Sequence, residues 1–210
     1  KVLEANLRRL KGREQVKVIC MDLSSPFRSV VQRLFPRARI VADRFHVIRL
    51  IIDTFHEFCK AVDPEIKWKR GITCALRTKG VNLRPAQRLL LEKEFSGHPA
   101  IQTAYDFKEE LCTLLSIKER KRANCIPLLE RLKEMVWQML HEAPEIFKKL
   151  GRTIRQWFEP IIRMWRFTKS NGITEGFHRK MKLIQRRAYG YRNFQNYRLR
   201  VLIECGHIVI

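Results

Sequence analysis

The sequence predicts an α/β protein in which a short parallel β-sheet is followed by a chain that is otherwise helical. The first observation is a pair of apolar, β-branched runs, "VKVICMDL" and "ARIVAD", whose composition is typical of buried parallel strands. The second is the helical spacing of the segment between them, which makes a strand–helix–strand unit. The third is that from His46 onwards apolar residues recur at helical intervals and no further strand pattern appears.

The amino-terminal part of the chain holds the predicted sheet. Residues 3–14 indicate a short charged helix, and the first strand then stops at Asp22. The start of the next helix is predicted by residues that favour a helix start, namely Ser24, Ser25 and Pro26. Its spacing predicts a buried face made of Phe27, Val30, Val31, Leu34 and Phe35. Pro36 ends this helix, and the second strand stops at Asp43.

Helices are predicted for most of the remaining chain. A long amphipathic helix from His46 should bury Val47, Ile51, Phe55, Phe58, Cys59 and Val62. Residues 63–84 indicate a loose connection that can act as a mobile loop. Residues 85–150 indicate three or four helices, with breaks at Gly97, Pro99, Pro127 and Pro144. A further helix over residues 152–167 should bury Ile154, Trp157, Phe158, Ile161, Ile162 and Trp165.

The composition points to a polyanionic partner. The chain carries 43 Lys and Arg against 21 Asp and Glu, a net charge of +22, so its field attracts nucleic acid before other partners. A content of 45% apolar residues is enough to build a core, which excludes a disordered polycation. There is no apolar run long enough for a membrane span and no signal-peptide pattern, so we expect no membrane partner and a cytoplasmic location. The six cysteines lack metal-finger spacing and are expected to be reduced thiols.

Both predicted strands end on an aspartate at the same edge of the sheet. Side chains at that edge often line a site, so Asp22 is a candidate ligand, although a turn or helix-capping acid has the same position. Asp43 and His46 form a D-x-x-H pair that one helical turn brings together. The pair can cap the helix or take part in catalysis or metal binding. One Asp and one His are an incomplete site, which favours the structural use.

Glu175 is a lone acid in the most basic part of the chain. From Arg163 to Arg200 there are eleven Lys and Arg and one acidic residue. The segment "TKSNG" should break the preceding helix, and Thr174 or Asn171 can cap the next one, with Glu175 in its first turn. The helix dipole favours an acid there, which is a sufficient structural reason. A Mg²⁺ site also needs carboxylates from separate elements, and Asp22 with Glu175 would supply two.

The carboxyl-terminal segment is a candidate DNA-binding surface. Basic residues are interleaved with aromatic ones, and the candidates for phosphate contact are Lys180, Lys182, Arg186, Arg187, Arg192, Arg198 and Arg200. The aromatics at 189, 191, 194 and 197 can stack on bases or pack inward. We expect an inner face made of Leu183, Ile184, Phe194, Leu199 and Leu202. Serine or cysteine nucleophile patterns and Gly-rich phosphate loops are absent.

Two stretches resemble a known family. "MDLSSPFRSVVQRLFPRARIVADRFHVIRL" and "SNGITEGFHRKMKLIQRRAYGYRNFQNYRLRVLI" are similar to the catalytic region of bacterial insertion-sequence transposases of the DDE type, specifically the ISL-three group. The combination of S-N-G, E-G, R-R-A-Y-G and R-N-F in the second stretch is highly specific. Together the stretches cover about 65 residues at both ends of the chain, and the middle is similar only in being helical.

The resemblance implies a partial ribonuclease-H-like core with a large helical insertion and a helical carboxyl terminus. The expected division is residues 1–62 for the core with the second acid, 63–150 for the insertion, and 151–210 for the third acid and basic tail. It implies Mg²⁺ or Mn²⁺ as cofactor, with Asp22 as the second acid and Glu175 as the third, both metal ligands. Asp43, His46 and His178 would support the site, and His178 stands where relatives often carry Asn.

The implied activity is cleavage at transposon ends and transfer of the freed strand to target DNA, by a homo-oligomer assembled on the DNA. Because the chain starts without Met, we expect it to be the carboxyl-terminal part of a longer protein. The first acid would then lie upstream of Lys1, and this chain alone should be inactive. One alternative is a non-catalytic nucleic-acid-binding remnant of a transposase. Another is a helical scaffold that binds RNA or ribosomes, but a scaffold leaves the two strands that end on Asp unexplained.

Overall fold

The computed structural model describes residues 2–167 and 172–206 and divides the chain into two compact units, residues 1–169 and 170–210. The first unit opens with α1 (Val2–Arg8), a short 3₁₀ turn (Arg13–Gln15), β1 (Val18–Met21), α2 (Ser25–Leu34) and β2 (Arg39–Ala42). The strands pair in parallel, with Val18 opposite Arg39 and Met21 opposite Ala42. The predicted strand–helix–strand unit is therefore confirmed.

Two details of this region differ from the prediction. The charged helix expected over residues 3–14 ends at Arg8, because Gly12 adopts a left-handed backbone with φ 76°. In α2 the residues Val31, Leu34 and Phe35 are buried and Val30 packs against the core, but Phe27 is exposed.

A core of helices completes the first unit. The elements are α3 (Arg44–Val62), α4 (Ile72–Arg77), α5 (Pro85–Gly97), α6 (Pro99–Ser116), α7 (Cys125–His141), α8 (Glu145–Gln156) and α9 (Phe158–Arg166). The long helix α3 lies at the centre, packed on α6, α8 and α9, and α9 packs in turn on β2. Among the described residues, none of the helices combines the length and apolar character that a bilayer span requires.

Three predictions about these helices were wrong. Residues 63–84 are ordered, because buried Lys108 of α6 donates through Nζ to the carbonyl oxygen of Leu76 (3.0 Å) and thereby holds α4. Pro127 lies in the first turn of α7, where its missing N–H costs nothing, so it does not break the helix. The helix expected over residues 152–167 is interrupted at Trp157, because Pro160 has no N–H for the carbonyl oxygen of Gln156, which accepts instead from Nη1 of Arg28 at 3.0 Å.

The second unit is a helical hairpin of α10 (Gly172–Arg187) and α11 (Phe194–Cys205). The turn contains Gly190 at φ 100°, and Asn193 caps α11 by accepting from the Gln195 N–H at 2.8 Å. Of the predicted inner face only Ile184 is buried; the exposed members are Leu183, Phe194, Leu199 and Leu202. Two helices offer too little surface to cover that many apolar side chains. The predicted break at residues 168–171 lies outside the described residues.

Candidate functional site

The parallel register brings Asp22 and Asp43 to one edge of the sheet. Each residue directly follows its strand, and the last paired residues, Met21 and Ala42, lie opposite one another. The Asp43 N–H donates to the carbonyl oxygen of Met21 at 2.8 Å, which extends the strand pairing by one step. The two carboxylates therefore leave the sheet side by side, as the strand endings predicted.

His46 joins the two carboxylates. Its Nδ1 lies 3.0 Å from Oδ1 of Asp22 and 3.0 Å from Oδ2 of Asp43. Carboxylate oxygens accept hydrogen bonds, so Nδ1 of His46 carries a proton and is the donor in this cluster. The Asp43 residue is 2% exposed, whereas the Asp22 side chain is 50% exposed. Asp43 is thus the fixed member of the cluster and Asp22 the accessible one.

Asp43 also has the structural role that its spacing favoured. It is the N-cap of α3, and its Oδ1 accepts from the Phe45 N–H at 3.2 Å. Its second oxygen holds His46 one helical turn on, so one carboxylate fixes both the start of the helix and the imidazole. The capping prediction is confirmed. The cap does not exclude a functional role, because Asp43 contacts His46 at the same time.

The donors of this cluster fit a divalent metal ion. One ligand atom from each of Asp22, Asp43 and His46 lies within 4.8 Å of the others. The cluster holds two negative charges against at most one positive charge on the imidazole. Carboxylate oxygens are the donors that Mg²⁺ and Mn²⁺ prefer.

The negative character of this edge also affects Cys20. Burial raises the pKa of the Cys20 thiol to about 11, and the charges of Asp43 and Asp22 add to the shift. The thiol is therefore neutral at physiological pH. Cys20 does not belong to the group of described residues whose ligand atoms converge at this edge.

Arg44, which follows Asp43 in the chain, makes contacts that the sequence did not reveal. Its Nη2 donates to the carbonyl oxygens of Ile117 (3.3 Å) and Met164 (2.6 Å), at the carboxyl-terminal ends of α6 and α9. Helix carboxyl termini carry partial negative charge, so they suit a cation, and burial lowers the pKa of this guanidinium. The one available signal was a basic residue in the first turn of a helix, where the dipole disfavours it.

The other predicted site residues lie in the second unit. Glu175 is half-buried in the first turn of α10, as expected, and His178 is exposed on the same helix. The predicted phosphate contacts are all exposed: Lys180, Lys182, Arg186, Arg187, Arg192, Arg198 and Arg200. Tyr189 and Phe194 are exposed, while the rings of half-buried Tyr191 and Tyr197 pack at 5.3 Å. The meeting of Glu175 with Asp22 stays a prediction.

Comparison with curated proteins finds distant relatives whose names differ. The chain is 22% identical over 202 residues to the transposase for insertion sequence element IS1001 of Bordetella parapertussis, covering 90% of the chain and 47% of that protein. It is 26% identical over 121 residues to a protein named ATP-dependent protease from Lactococcus lactis subsp. lactis, covering 58% of the chain and 36% of that protein. The chain thus spans between about a third and a half of these curated relatives. No solved structure matches it significantly.

The family comparison covers almost the whole chain. The family model for DDE transposases of the ISL3 group, described as Transposase, matches residues 1–201. The match includes the first stretch, residues 21–50, and all but the last two residues of the second, residues 170–203. The chain belongs to the ISL3 family of DDE transposases.

Proposed function

We propose that this chain supplies two of the three acids with which a DNA transposase cleaves transposon ends and transfers the strand to target DNA. The observation that carries the proposal is the convergence of Asp22, Asp43 and His46 at the ends of adjacent parallel strands. Strand ends are where open α/β sheets place their sites. Family membership supports the reaction class.

In this proposal Asp22 and Glu175 are ligands of Mg²⁺ or Mn²⁺. When bound, such an ion supplies Lewis acidity that activates water or a 3′ hydroxyl and stabilises the leaving oxygen. Asp22 is accessible to DNA because half of its side chain is exposed. Asp43 holds His46, and His46 orients Asp22. The remaining acid of the family's triad is not among the residues that the resemblance assigns to this chain.

The fold we propose is a ribonuclease-H-like core with a helical insertion. Its support is the order of elements: a parallel strand pair at residues 18–42, helices through residues 63–150, and Glu175 at the start of a late helix. The core would then consist of residues 1–62 and 151–210. Such an arrangement needs the insertion to leave the sheet edge open, because the acids lie there.

The DNA partner would be held by the exposed basic side chains of the second unit. Lys182, Arg186 and Arg187 are exposed on α10, and Arg192 and Arg198 follow on the turn and α11. Lysine and arginine neutralise phosphates irrespective of sequence. These residues would hold the backbone of transposon ends and target while two or more copies of the transposase assemble on the DNA.

The test is a strand-transfer assay of the complete transposase that contains this chain, with variants Asp22→Asn and Glu175→Gln. Each variant should lose at least about a thousand-fold in rate while keeping its affinity for transposon-end DNA. The matched control is Asp53→Asn, since Asp53 is an exposed acid of α3 that pairs with Arg49 at 3.5 Å. Full activity in either site variant would remove that acid from the mechanism. Binding without strand transfer in the unaltered protein would instead identify a non-catalytic nucleic-acid-binding protein.

A further inference from the structure

We propose that the connection between α3 and α5 carries a second nucleic-acid surface, on which Trp68 stacks against an unpaired base while Lys67, Arg70 and Arg77 contact the neighbouring phosphates. The inference rests on the proposed function in that the polyanion is taken to be DNA. It uses residues that belong neither to the cluster of Asp22, Asp43 and His46 at the sheet edge nor to the basic tail, meaning the basic residues of α10, α11 and the turn between them.

The first observation is the charge of this connection. Between Glu65 and Glu92 the chain has seven Lys and Arg and no acidic residue, in a protein that contains 21 acids. The segment is ordered, so the charges have fixed positions along α4 and its flanking turns. Lys69 is paired with Asp63 and Glu94, and the other six cations, which have no acid between them along the chain, favour the binding of a polyanion.

The second observation is the exposure of Trp68 within a concavity of the same segment. The indole is 78% exposed, unusual for the largest apolar side chain. The concavity is lined by Lys67, Trp68, Lys69, Arg70, Gly71, Thr73, Cys74, Arg77 and Thr78. Among these described residues none is acidic. Lys67 Nζ lies 5.0 Å from the centre of the indole ring, a cation–π contact that orients the ring next to a charge.

The outward direction of Trp68 is set by its neighbours. Ile66 is buried on one side, and on the other Lys69 is held by Oδ2 of Asp63 at 2.7 Å and Oε2 of Glu94 at 2.8 Å. The backbone N–H of Trp68 donates to the carbonyl oxygen of Glu65 at 2.8 Å. The residues on both sides are therefore fixed to the core, and the indole is presented to solvent by an ordered turn.

The ion pairs of Lys69 also explain the second cluster of ligand-type residues in the first unit. Asp63, Glu94 and His98 lie close enough together to hold a metal ion. The Lys69 ammonium already lies against both carboxylates, and its hydrogen bond holds the pKa of Asp63 below its ordinary value. The two carboxylates of this cluster therefore hold the Lys69 ammonium in place. These two acids are paired there and do not neutralise Lys67, Arg70 or Arg77.

The charge of Arg77 is likewise left available. Its Nε donates to Nε2 of His56 at 3.1 Å. Burial lowers the pKa of His56 to about 4, and the nearby charges of Arg77, Lys60 and Lys108 contribute. His56 is thus a neutral acceptor at physiological pH. It fixes the guanidinium in position without cancelling its charge.

These features together select the form of the nucleic acid. An indole can stack on a base only where the face of that base is uncovered, as in a single strand, a gap or a hairpin tip, while cations bind the backbone of any strand. A membrane or an acidic protein would also meet the cations. Only with nucleic acid does the contribution of the indole depend on whether bases are unpaired, which is the property that the test uses.

The experiment compares the full chain with Trp68→Ala on two labelled DNA probes, a fully paired duplex and the same duplex with a gap of unpaired thymines. The variant should lose about 10-fold in affinity for the gapped probe and little for the paired one. Trp68→Phe should restore most of the loss. The matched control is Trp137→Ala, because Trp137 is 53% exposed on α7 next to Glu134, outside the basic segment.

Equal affinities of the Trp68→Ala and Trp137→Ala variants for the gapped probe would overturn the proposal. So would a loss confined to binding of phosphatidylglycerol vesicles, which would identify a lipid surface instead. Arg70→Gln should reduce the slope of log affinity against log salt by about one on both probes. The binding assay needs no catalysis, so its result does not depend on the strand-transfer assay. The Trp68 surface and the catalytic role of Asp22 and Glu175 can therefore be rejected separately.

Discussion

At the scale of single residues, the site depends on side chains that serve two partners at once. Asp43 caps α3 with one oxygen and binds His46 with the other. His46 in turn contacts both Asp43 and Asp22. The sequence could predict the Asp43–His46 pair from spacing alone, because one helical turn separates the two residues, but not the contact of His46 with Asp22. It could not predict that Arg44 would cross to the ends of α6 and α9, since those partners are distant in the chain.

Removing the double role of Asp43 should destabilise the first unit. Asp43→Ala loses the N-cap acceptor and the partner of His46, so we expect a loss of about 1–2 kcal/mol in the free energy of unfolding. Asp43→Asn keeps an oxygen for the Phe45 N–H and should cost less. Urea unfolding followed by circular dichroism measures both. Asp53→Ala, which removes an exposed i,i+4 ion pair, should cost under about 0.5 kcal/mol, and equal costs for the two alanine variants would contradict the capping role.

Stability should fall with acid because of His56. Burial lowers its pKa from 6.5 to about 4 in the folded chain, so the unfolded chain binds a proton in that window while the folded chain does not. The unfolded state is therefore favoured as the pH falls from 6.5 towards 4. His56→Gln keeps an acceptor for Arg77 and should flatten this dependence, as measured by melting temperature across the window. The exposed His141, replaced in the same way, should leave it unchanged.

At the scale of elements, the sequence predicted those helices whose apolar spacing continues over several turns. The helix α3 and the breaks at Gly97, Pro99 and Pro144 follow from local patterns. The order of residues 63–84 does not, because six-residue α4 is held by Lys108 from α6, 32 residues away along the chain. The interruption at Trp157 did have a local signal, Pro160, which apolar spacing alone does not take into account. The contact of Arg28 with the freed Gln156 carbonyl oxygen had none, because the two residues are 128 positions apart.

The close packing of α7 on α8 depends on Gly151. A Cβ atom at this position would lie 3.0 Å from Cβ of Met139 and 3.3 Å from Cδ2 of Leu140. Cβ of Met139 cannot move without its helix, so Gly151→Ala should destabilise the chain by about 1–3 kcal/mol despite the better helix propensity of alanine. Gly97→Ala is the control, since no atom lies within 4 Å of its Cβ. Thermal unfolding compares the two, and a stabilised Gly151→Ala variant would show that the helices can separate.

At the scale of the whole molecule, the proposed DNA contacts depend on which basic side chains have an acidic partner and which do not. The strand endings were enough to predict that Asp22 and Asp43 meet, because parallel pairing fixes that edge. The surface around Trp68 was missed, since residues 63–84 gave no periodic signal and its geometry depends on distant Glu94. Cations with and without acidic partners look identical in a sequence, and only the folded chain separates them.

This difference predicts which cations set the salt dependence of DNA binding. Arg186 and Arg187 are exposed on α10, so replacing both with Gln should reduce the slope of log affinity against log salt by about 1.8, or about 0.9 for each phosphate that is no longer neutralised. Arg131 is already bound to Glu110 at 2.6 Å and Glu134 at 3.0 Å, and Arg131→Gln should leave the slope unchanged. Affinities for duplex DNA, measured by fluorescence anisotropy over a salt series, give both slopes. If the two variants shifted the slope by the same amount for each arginine removed, binding would depend on net charge alone, and the basic tail would lose its assignment as the surface that holds the backbone.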